Sequence, residues 1–456
     1  MRRCEGGRAG KKDGERRHGG ESQFSSYLIF PIISTRRPHS AIRPFICQAR
    51  QIMALGPMAF RMRIASQRLG LRISGTNNAV ASLNTVYSRA ISSSALTIER
   101  TTSDDRFNDK PPNDELKFGV TLSDHMLECE WTASASWGAP RITPTHDLKL
   151  SPAASSLHYG LQCFEGMKAY KSSDGSLRLF RPDLNMKRLA TSMERLQMHG
   201  YSFDGDELLE CIKELVRVDE RWVPDQEGYS LYLRPTVVAT HPFLGLAAPE
   251  SMLLYCITSP VGPYYKSGFA PVRLTADTDF VRAWPGGTGN VKIGGNYSPT
   301  MRAGAIANKH GYDQVLWTFG ANDEATEVGS MNFFIFLDSK TPGARKELVT
   351  APLDGTILPG VTRQSILDLA RSWDEFDVVE RFPTMPEIRD AAQEGRLIEA
   401  FGAGTAAIVS PISCIQYQGK DIDIAATGEL TQRFFDELLA IQYGTKEGPE
   451  GWSVKI

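Results

Sequence analysis

The sequence predicts a mixed α/β protein of two domains behind a basic leader. Its 456 residues are 41% hydrophobic and 23% charged, which supplies enough apolar side chains for a sizeable core. Strand-like and helix-like segments are mixed along the chain after residue 115. Ser259–Val272 shows neither periodicity and holds three prolines and two glycines. We therefore predict a leader (1–100), a smaller N-terminal domain (101–262), an interdomain connection (259–272) and a larger C-terminal domain (270–456).

The first hundred residues differ from the rest in charge. They hold 17 basic and 5 acidic residues, and between Ser22 and Thr97 there are nine arginines and no acidic residue. An arginine-rich, serine-rich and acid-poor composition is typical of a mitochondrial transit peptide. We expect targeting to the mitochondrial matrix followed by removal of the leader. The alternative is a disordered basic tail that binds acidic surfaces.

The rest of the chain excludes several classes of protein. Its 34 basic and 48 acidic residues do not suggest nucleic-acid binding. No apolar run approaches the roughly 18 residues that cross a bilayer. The seven cysteines contain no CxxC pair, so we expect free thiols and no metal site.

Several elements can be placed from the pattern. Strand-like sequence begins near Phe118 and recurs at Met126–Trp131. Lys168–Arg181 is a hairpin candidate, because two alternating stretches flank Ser-Asp-Gly. Helical periodicity predicts helices from Asp183 onward and at Gly205–Val218. The other predicted elements are strands at Tyr229–Thr240 and Met252–Thr258 and helices at Pro299–His310, Val361–Trp373 and Leu430–Gln442.

The glycine-rich segment Ala283–Thr300 carries a candidate nucleophile. Five glycines surround Lys292, and glycines let a backbone approach a ligand closely. A lysine without acidic neighbours can have a lowered pKa and attack a carbonyl. The alternative is a lysine on a flexible surface loop. A Walker loop is excluded, because no Ser or Thr follows the lysine.

Glu327 is a candidate partner for a cationic group. It precedes a Gly-Ser turn and a very apolar strand, where a carboxylate is costly unless it is paired. A protonated pyridine ring would suit it. An exposed loop glutamate is the alternative.

Two further segments could bind an anion. Pro-Gly-Val-Thr opens the helix in Ile357–Arg371, and helix starts bind phosphate readily, although most are ordinary. Glu399–Ile412 contains a GxGxxA pattern, but Pro411 in the extended segment after it argues against a dinucleotide fold. A glycine-rich turn that presents Thr405 to an anion remains open.

Together these segments resemble the branched-chain-amino-acid aminotransferases, fold-type-IV enzymes that depend on pyridoxal 5′-phosphate (PLP). The resemblance covers roughly residues 115–456. It rests on LHYGLQCFEGMKAY, RPDLNMKRL, YLRP, RAWPGGTGNVKIGGNYSPT, DQVLW, TEVGSMNFF, ILPGVTRQS and FGAGTA. It implies two α/β domains with PLP at their interface.

The resemblance also implies roles around the cofactor. Lys292 would bind PLP covalently and later carry a proton between the substrate Cα and the cofactor. Glu327 would pair with the pyridinium nitrogen, and Tyr297 would hydrogen-bond the phenolic oxygen of the ring. The implied phosphate contacts are Arg188, Val361, Thr362 and Thr405.

Substrate contacts follow from the same resemblance. The aromatic walls of the side-chain pocket would be Tyr159, Phe164, Tyr232 and Tyr264, with Arg234 near the same pocket. Leu246 would reach in from the partner subunit of a homodimer. The α-carboxylate would be received by Ser330, Thr405 and Ala406. An apolar pocket separates Leu, Ile and Val weakly, because one methylene is worth only about 1–3 kcal/mol.

The implied reaction moves an amino group between Leu, Ile or Val and 2-oxoglutarate. Animal mitochondrial relatives carry a CxxC redox pair where this chain has Ala407 and Ser410, so we expect no thiol switch. The alternatives are D-amino-acid aminotransferase and aminodeoxychorismate lyase, which share the fold, and a family member without catalytic activity.

Overall fold

The structure is a computed structural model that describes residues 90–101, 110–263, 269–277, 279–424 and 428–456. Nearly all of the leader and five residues of the connection, Tyr264 among them, lie outside the described residues. The described residues belong to one compact unit, so the two-domain boundaries stay a prediction.

The first sheet is built mainly from the N-terminal half of the described chain. Its core is the long antiparallel pair β8 and β9, in register over ten positions from Ser230↔Val261 to Ala239↔Met252. In chain order its strands are β1 Thr97–Ile98, β2 His125–Thr132, β3 Ser136–Trp137, β4 Arg141–Pro144, β5 Gln162–Phe164, β6 Met167–Lys171, β7 Leu177–Phe180, β8 Ser230–Ala239 and β9 Ser251–Val261.

The second sheet is built from the chain after residue 271. Its strands are β10 Val272–Thr275, β11 Gln314–Phe319, β12 Glu324–Val328, β13 Met331–Leu337, β14 Glu347–Thr350, β15 Asp377–Glu380, β16 Leu397–Gly404, β17 Ile408–Tyr417 and β18 Lys420–Asp423. The last strand, β19 (Ser453–Lys455), returns to the first sheet and pairs with β7. The C-terminus is therefore anchored on the sheet formed by the N-terminal half.

Seven α-helices lie in the described residues, and most of them cover a sheet. They are α1 Ser155–Tyr159, α2 Pro182–Arg195, α3 Gly205–Val218, α4 Met301–Lys309, α5 Val361–Trp373, α6 Met385–Gln393 and α7 Glu429–Tyr443. Apolar residues of α2 and α3 share one core with the first sheet. Among the helices that the structure describes, none is long and apolar enough to cross a bilayer.

Strand β13 is buried on both faces, which explains the continuous apolar sequence from Phe333 to Leu337. Phe334 and Phe336 pack in one core with α5 and α7, whereas Phe333 and Ile335 pack in another with α6. Successive side chains of a strand point to opposite faces, so a strand between two layers has no polar side.

Most predicted elements are confirmed, and the structure differs from the prediction at three places. Phe118 lies in a turn rather than a strand, with its ring 4.8 Å from that of Tyr232. Ser259–Val261 belong to β9 rather than to the connection, because β8 continues beside them. Helix α6 was not predicted, although Thr384 and Glu387 form a capping box at its start.

Candidate active site

A cavity of about 320 Å³ is lined by residues of both sheets. It gathers most of the residues that the sequence singled out, although they are far apart in the chain. Eleven of them line it: Phe164, Arg188, Tyr232, Arg234, Lys292, Tyr297, Ser330, Val361, Thr362, Thr405 and Ala406. Phe118, Gln314, Met331 and Asn332 also line it and were not predicted as site residues.

Lys292 is held by its backbone and leaves its amine free to react. Its N–H donates to Ser192 Oγ (2.9 Å), and its carbonyl accepts from the Phe164 N–H (3.0 Å). Its Nζ donates to Tyr297 Oη at 3.2 Å. Burial lowers the pKa of Lys292 to about 8, and the charge of Arg188 acts in the same direction. Burial likewise raises the pKa of Tyr297 to about 12, so Tyr297 is a neutral donor and acceptor here.

Arg188 is fixed by a carboxylate with no solvent exposure. Its Nε and Nη2 donate to the two oxygens of Glu165 at 2.7 and 2.8 Å, and Asn185 donates to the same carboxylate. Burial would raise the pKa of Glu165, but the adjacent Arg188 guanidinium brings it below its ordinary value. The remaining Nη1 donates to the Pro359 carbonyl (3.0 Å). The guanidinium is thus directed at the loop that precedes α5.

Glu327 lies on β12 and is 2% exposed. Its Oε2 is 2.8 Å from Arg282 Nε, and its Oε1 accepts from the Leu358 N–H (2.7 Å) and more weakly from Asn332 (3.4 Å). Burial raises the pKa of Glu327, while the charge of Arg282 opposes that rise. The exposed-loop alternative is therefore wrong, since this carboxylate is buried and partnered.

Helix α5 presents its N-terminus to the cavity. Gly360 is its N-cap with no side-chain cap, so the first N–H groups of the helix have no capping acceptor. Gly360, Val361 and Thr362 all line the cavity. A Cβ on Gly360 would lie 2.1 Å from Asn332 Oδ1, so this position requires the absence of a side chain. The arrangement favours a bound anion.

The opposite wall combines aromatic rings with one cation. Arg234 donates to Tyr232 Oη (3.1 Å), and its guanidinium carbon lies 4.8 Å from the Phe164 ring centroid. Its Nε is buried without a hydrogen-bond partner, and no carboxylate in the described part of the chain is paired with it. The wall can therefore accept an apolar chain and still offer a charge to a carboxylate.

Three predicted substrate residues do not line this cavity. Tyr159 is 44% exposed and donates to the Leu244 carbonyl, and Leu246 is 76% exposed. Both lie on the surface of the single chain. Tyr264 is outside the described residues.

Comparison with known proteins bears directly on this site. Residues 162–415 match the family model described as amino-transferase class IV. The mitochondrial branched-chain-amino-acid aminotransferase of Bos taurus is 52% identical over 74% of this chain and 85% of its own length. The cytosolic enzyme of Saccharomyces cerevisiae is 49% identical over 74% of this chain and 91% of its own.

The chain belongs to the branched-chain-amino-acid aminotransferase family. The T.th. branched-chain amino acid aminotransferase, solved with pyridoxamine 5′-phosphate, has a TM-score of 0.56 and 25% identity over 72% of this chain and 97% of its own. PLP is the cofactor of the family, and the residues here fit it. The cavity is lined by an amine of lowered pKa, a buried guanidinium and an uncapped helix start, and the buried carboxylate of Glu327 contacts two of its lining residues, Leu358 and Asn332.

Glu165, Arg282 and Asn332 are site residues of this aminotransferase that the sequence reasoning missed. Glu165 lies inside the quoted segment LHYGLQCFEGMKAY, and Arg282 immediately precedes the glycine-rich segment. The charge of Glu165 inside one of these segments and of Arg282 directly beside the other was the available signal. Their partners, Arg188 and Glu327, are distant in sequence and could be identified only from the fold.

Proposed function

We propose that this chain transfers the amino group between Leu, Ile or Val and 2-oxoglutarate, using PLP and giving branched-chain 2-oxo acids and L-glutamate. The observation that carries the proposal is the environment of Lys292. Its amine has a pKa lowered to about 8 and shares one cavity with Arg188 and the start of α5. A nucleophilic amine next to an anion site suits a cofactor with an aldehyde and a phosphate.

Each residue of the site has a role toward the bound cofactor or the substrate. Bound PLP supplies a pyridine ring that accepts electrons from the substrate Cα. Lys292 attaches the cofactor and, once free, moves the proton at Cα. Glu327, held by Arg282 and Leu358, keeps the ring nitrogen protonated. Arg188, Thr405 and the first N–H groups of α5 hold the phosphate, and Tyr297 hydrogen-bonds the phenolic oxygen.

In this reaction one pocket must accept two kinds of substrate side chain, a branched aliphatic chain and a chain that ends in a carboxylate. Phe164 and Tyr232 supply apolar surface for a branched aliphatic chain. Arg234 supplies a cation that no described carboxylate neutralises, and we assign it to the distal carboxylate of 2-oxoglutarate and glutamate. Ser330, Thr405 and Ala406 receive the α-carboxylate that all these substrates share.

The proposed active form is a homodimer. Exposed apolar side chains cluster around α1 and the loop after β8, where Tyr159 contacts Leu244. We define Leu157, Tyr159, Phe243, Leu244 and Leu246 as the rim patch. Such a cluster on the surface of a single chain is typical of an interface. In the dimer, Leu246 would complete the pocket of the partner subunit, with Tyr159 and Tyr264 as further wall residues.

We propose a mitochondrial location and a transit peptide within 1–100. The composition of the leader supports this, and relatives of both locations exist. A fusion of residues 1–100 to a fluorescent protein should enter mitochondria. A fusion of residues 101–456 to the same fluorescent protein should not. Cytosolic fluorescence from the first fusion would contradict the targeting proposal.

The activity is tested by a substrate panel. Purified protein with PLP should use L-Leu, L-Ile and L-Val with 2-oxoglutarate and should not use D-Ala or aminodeoxychorismate. The Lys292→Ala variant is the control and should be inactive. Turnover of D-Ala in place of L-Leu would assign the chain to a different reaction on the same fold.

A further inference from the structure

Lys168 carries a buried ammonium group that the mechanism above does not use. It lies on β6, opposite Tyr232 of β8, and is 7% exposed. Its Nζ donates to the Ala406 carbonyl at 2.8 Å, across 238 positions of sequence. Since Ala406 is in the turn between β16 and β17, this bond ties the first sheet to a turn of the second.

The charge of Lys168 has no counter-ion in the described part of the chain. The Ala406 carbonyl is its hydrogen-bond acceptor there, and no carboxylate lies within ion-pair distance of it. Burial lowers the pKa of Lys168 to about 8, so the group is still mainly protonated at neutral pH. Burying an unpaired cation is costly. A ligand anion near the turn would offset that cost.

The turn between β16 and β17 has a strained backbone that contacts from the rest of the protein must hold in place. Gly404 pairs with Ile408 across it, and Ile408 has φ = +63°. A β-branched residue in this left-handed region is strained by about 1–3 kcal/mol, and the surroundings must hold it there. The bond from Lys168 to Ala406 is such a constraint, two residues away.

We propose that Lys168 is a positioning residue for the α-carboxylate of the substrate, acting through the Ala406–Ala407 peptide. The inference rests on the proposed function, in which this turn receives the carboxylate. Ala406 and Ala407 both line the cavity, and the Ala406 carbonyl belongs to the same peptide unit as the Ala407 N–H. An ammonium that bonds the carbonyl polarises that N–H and strengthens it as a donor. It also brings a positive charge to the back of the turn.

The test measures carboxylate binding to the PLP-loaded protein by spectral titration. The probe is 4-methylpentanoate, and its uncharged amide, 4-methylpentanamide, is the matched comparison. Lys168→Met should weaken binding of the acid about tenfold, because it removes the charge-assisted hydrogen bond to the Ala406 carbonyl. Binding of the amide should be unchanged. Lys171→Met, on the same strand but paired with Glu220 at 3.6 Å, should change neither.

The outcomes separate the possibilities. Unchanged binding of the acid in Lys168→Met would overturn the inference, and so would an equal loss for acid and amide, which indicates only a loosened turn. If Lys168→Met does not fold, Lys168→Gln, which keeps a donor without the charge, answers the same question. If the native protein does not react with L-Leu at all, the proposed function fails rather than this inference.

Discussion

At the residue scale, burial favours the neutral form of both key ionisable groups. It lowers the pKa of Lys292, against the opposing charge of Glu165, and raises that of Glu327, whose direct ion pair with Arg282 opposes the rise. The lysine is thereby prepared as a nucleophile, whereas the carboxylate keeps a partner that helps it stay ionised. The sequence indicated both residues and a lowered pKa for the lysine, but it could not indicate that Arg282 pairs with Glu327 or that burial raises the pKa of that carboxyl.

The first prediction concerns pH. Only the neutral amine of Lys292 attacks the aldehyde of PLP, and lysine loses its proton as pH rises through its pKa. The rate of PLP attachment to the apoprotein should therefore rise with pH, reach half of its maximum near pH 8 and level off above that pH. Stopped-flow absorbance checks this. A rate that keeps rising beyond pH 10, as for an ordinary lysine, would show that the amine is not perturbed.

The second prediction concerns Arg234. Arg234→Met should raise the KM for 2-oxoglutarate about tenfold or more, because a hydrogen bond to a charged group contributes about 1.5–3 kcal/mol. The KM for 4-methyl-2-oxopentanoate, which has no distal carboxylate, should stay nearly the same and serves as the internal control. Equal increases for the two acids would remove Arg234 from this role.

At the element scale, the local sequence decided most helices and strands but not the site. Gly205–Val218 and Val361–Trp373 form helices with the predicted bounds, because their periodicity and start signals are local. Helix α6 was missed although its capping box is a local signal, whereas the bounds of the short strands in the second sheet depend on tertiary pairing. Whether Tyr159 lines a pocket likewise depends on packing that no short segment contains.

The third prediction tests the start of α5. Gly360→Ala should weaken PLP binding about tenfold or more, because the new Cβ overlaps Asn332 Oδ1 and overpacking costs about 1–3 kcal/mol. Equilibrium titration of the apoprotein with PLP measures it. Gly304→Ala in α4, where a Cβ would meet nothing within 4 Å, is the control and should bind PLP normally. Normal PLP affinity in Gly360→Ala would mean that this helix start does not hold the phosphate.

At the scale of the whole molecule, the cavity needs both sheets and, in our proposal, a second chain. The first sheet supplies Arg188 through α2 and the aromatic wall, whereas the second sheet supplies Asn332, which contacts Glu327, and the turn that holds Thr405. The family resemblance predicted this gathering of residues, which composition and periodicity alone could not. The rim patch is an exposed apolar cluster for which the described part of the single chain offers no packing partner.

The fourth prediction concerns the rim patch. Leu246→Lys should shift the protein from dimer to monomer in sedimentation velocity and raise the KM for L-Leu, because it places a charge in an apolar interface. Ile98→Lys, at an exposed position of β1, is the matched control and should leave both unchanged. A Leu246→Lys variant that stays dimeric with an unchanged KM would place the interface elsewhere.

The most direct test of the central claim is the absorption spectrum of the purified protein with PLP, before and after L-leucine. We expect a visible band from the lysine-bound cofactor that L-leucine bleaches and 2-oxoglutarate restores. Lys292→Ala should lack this band. A native protein that stays colourless when PLP is supplied would contradict the account, and a coloured protein that ignores L-leucine would overturn its substrate.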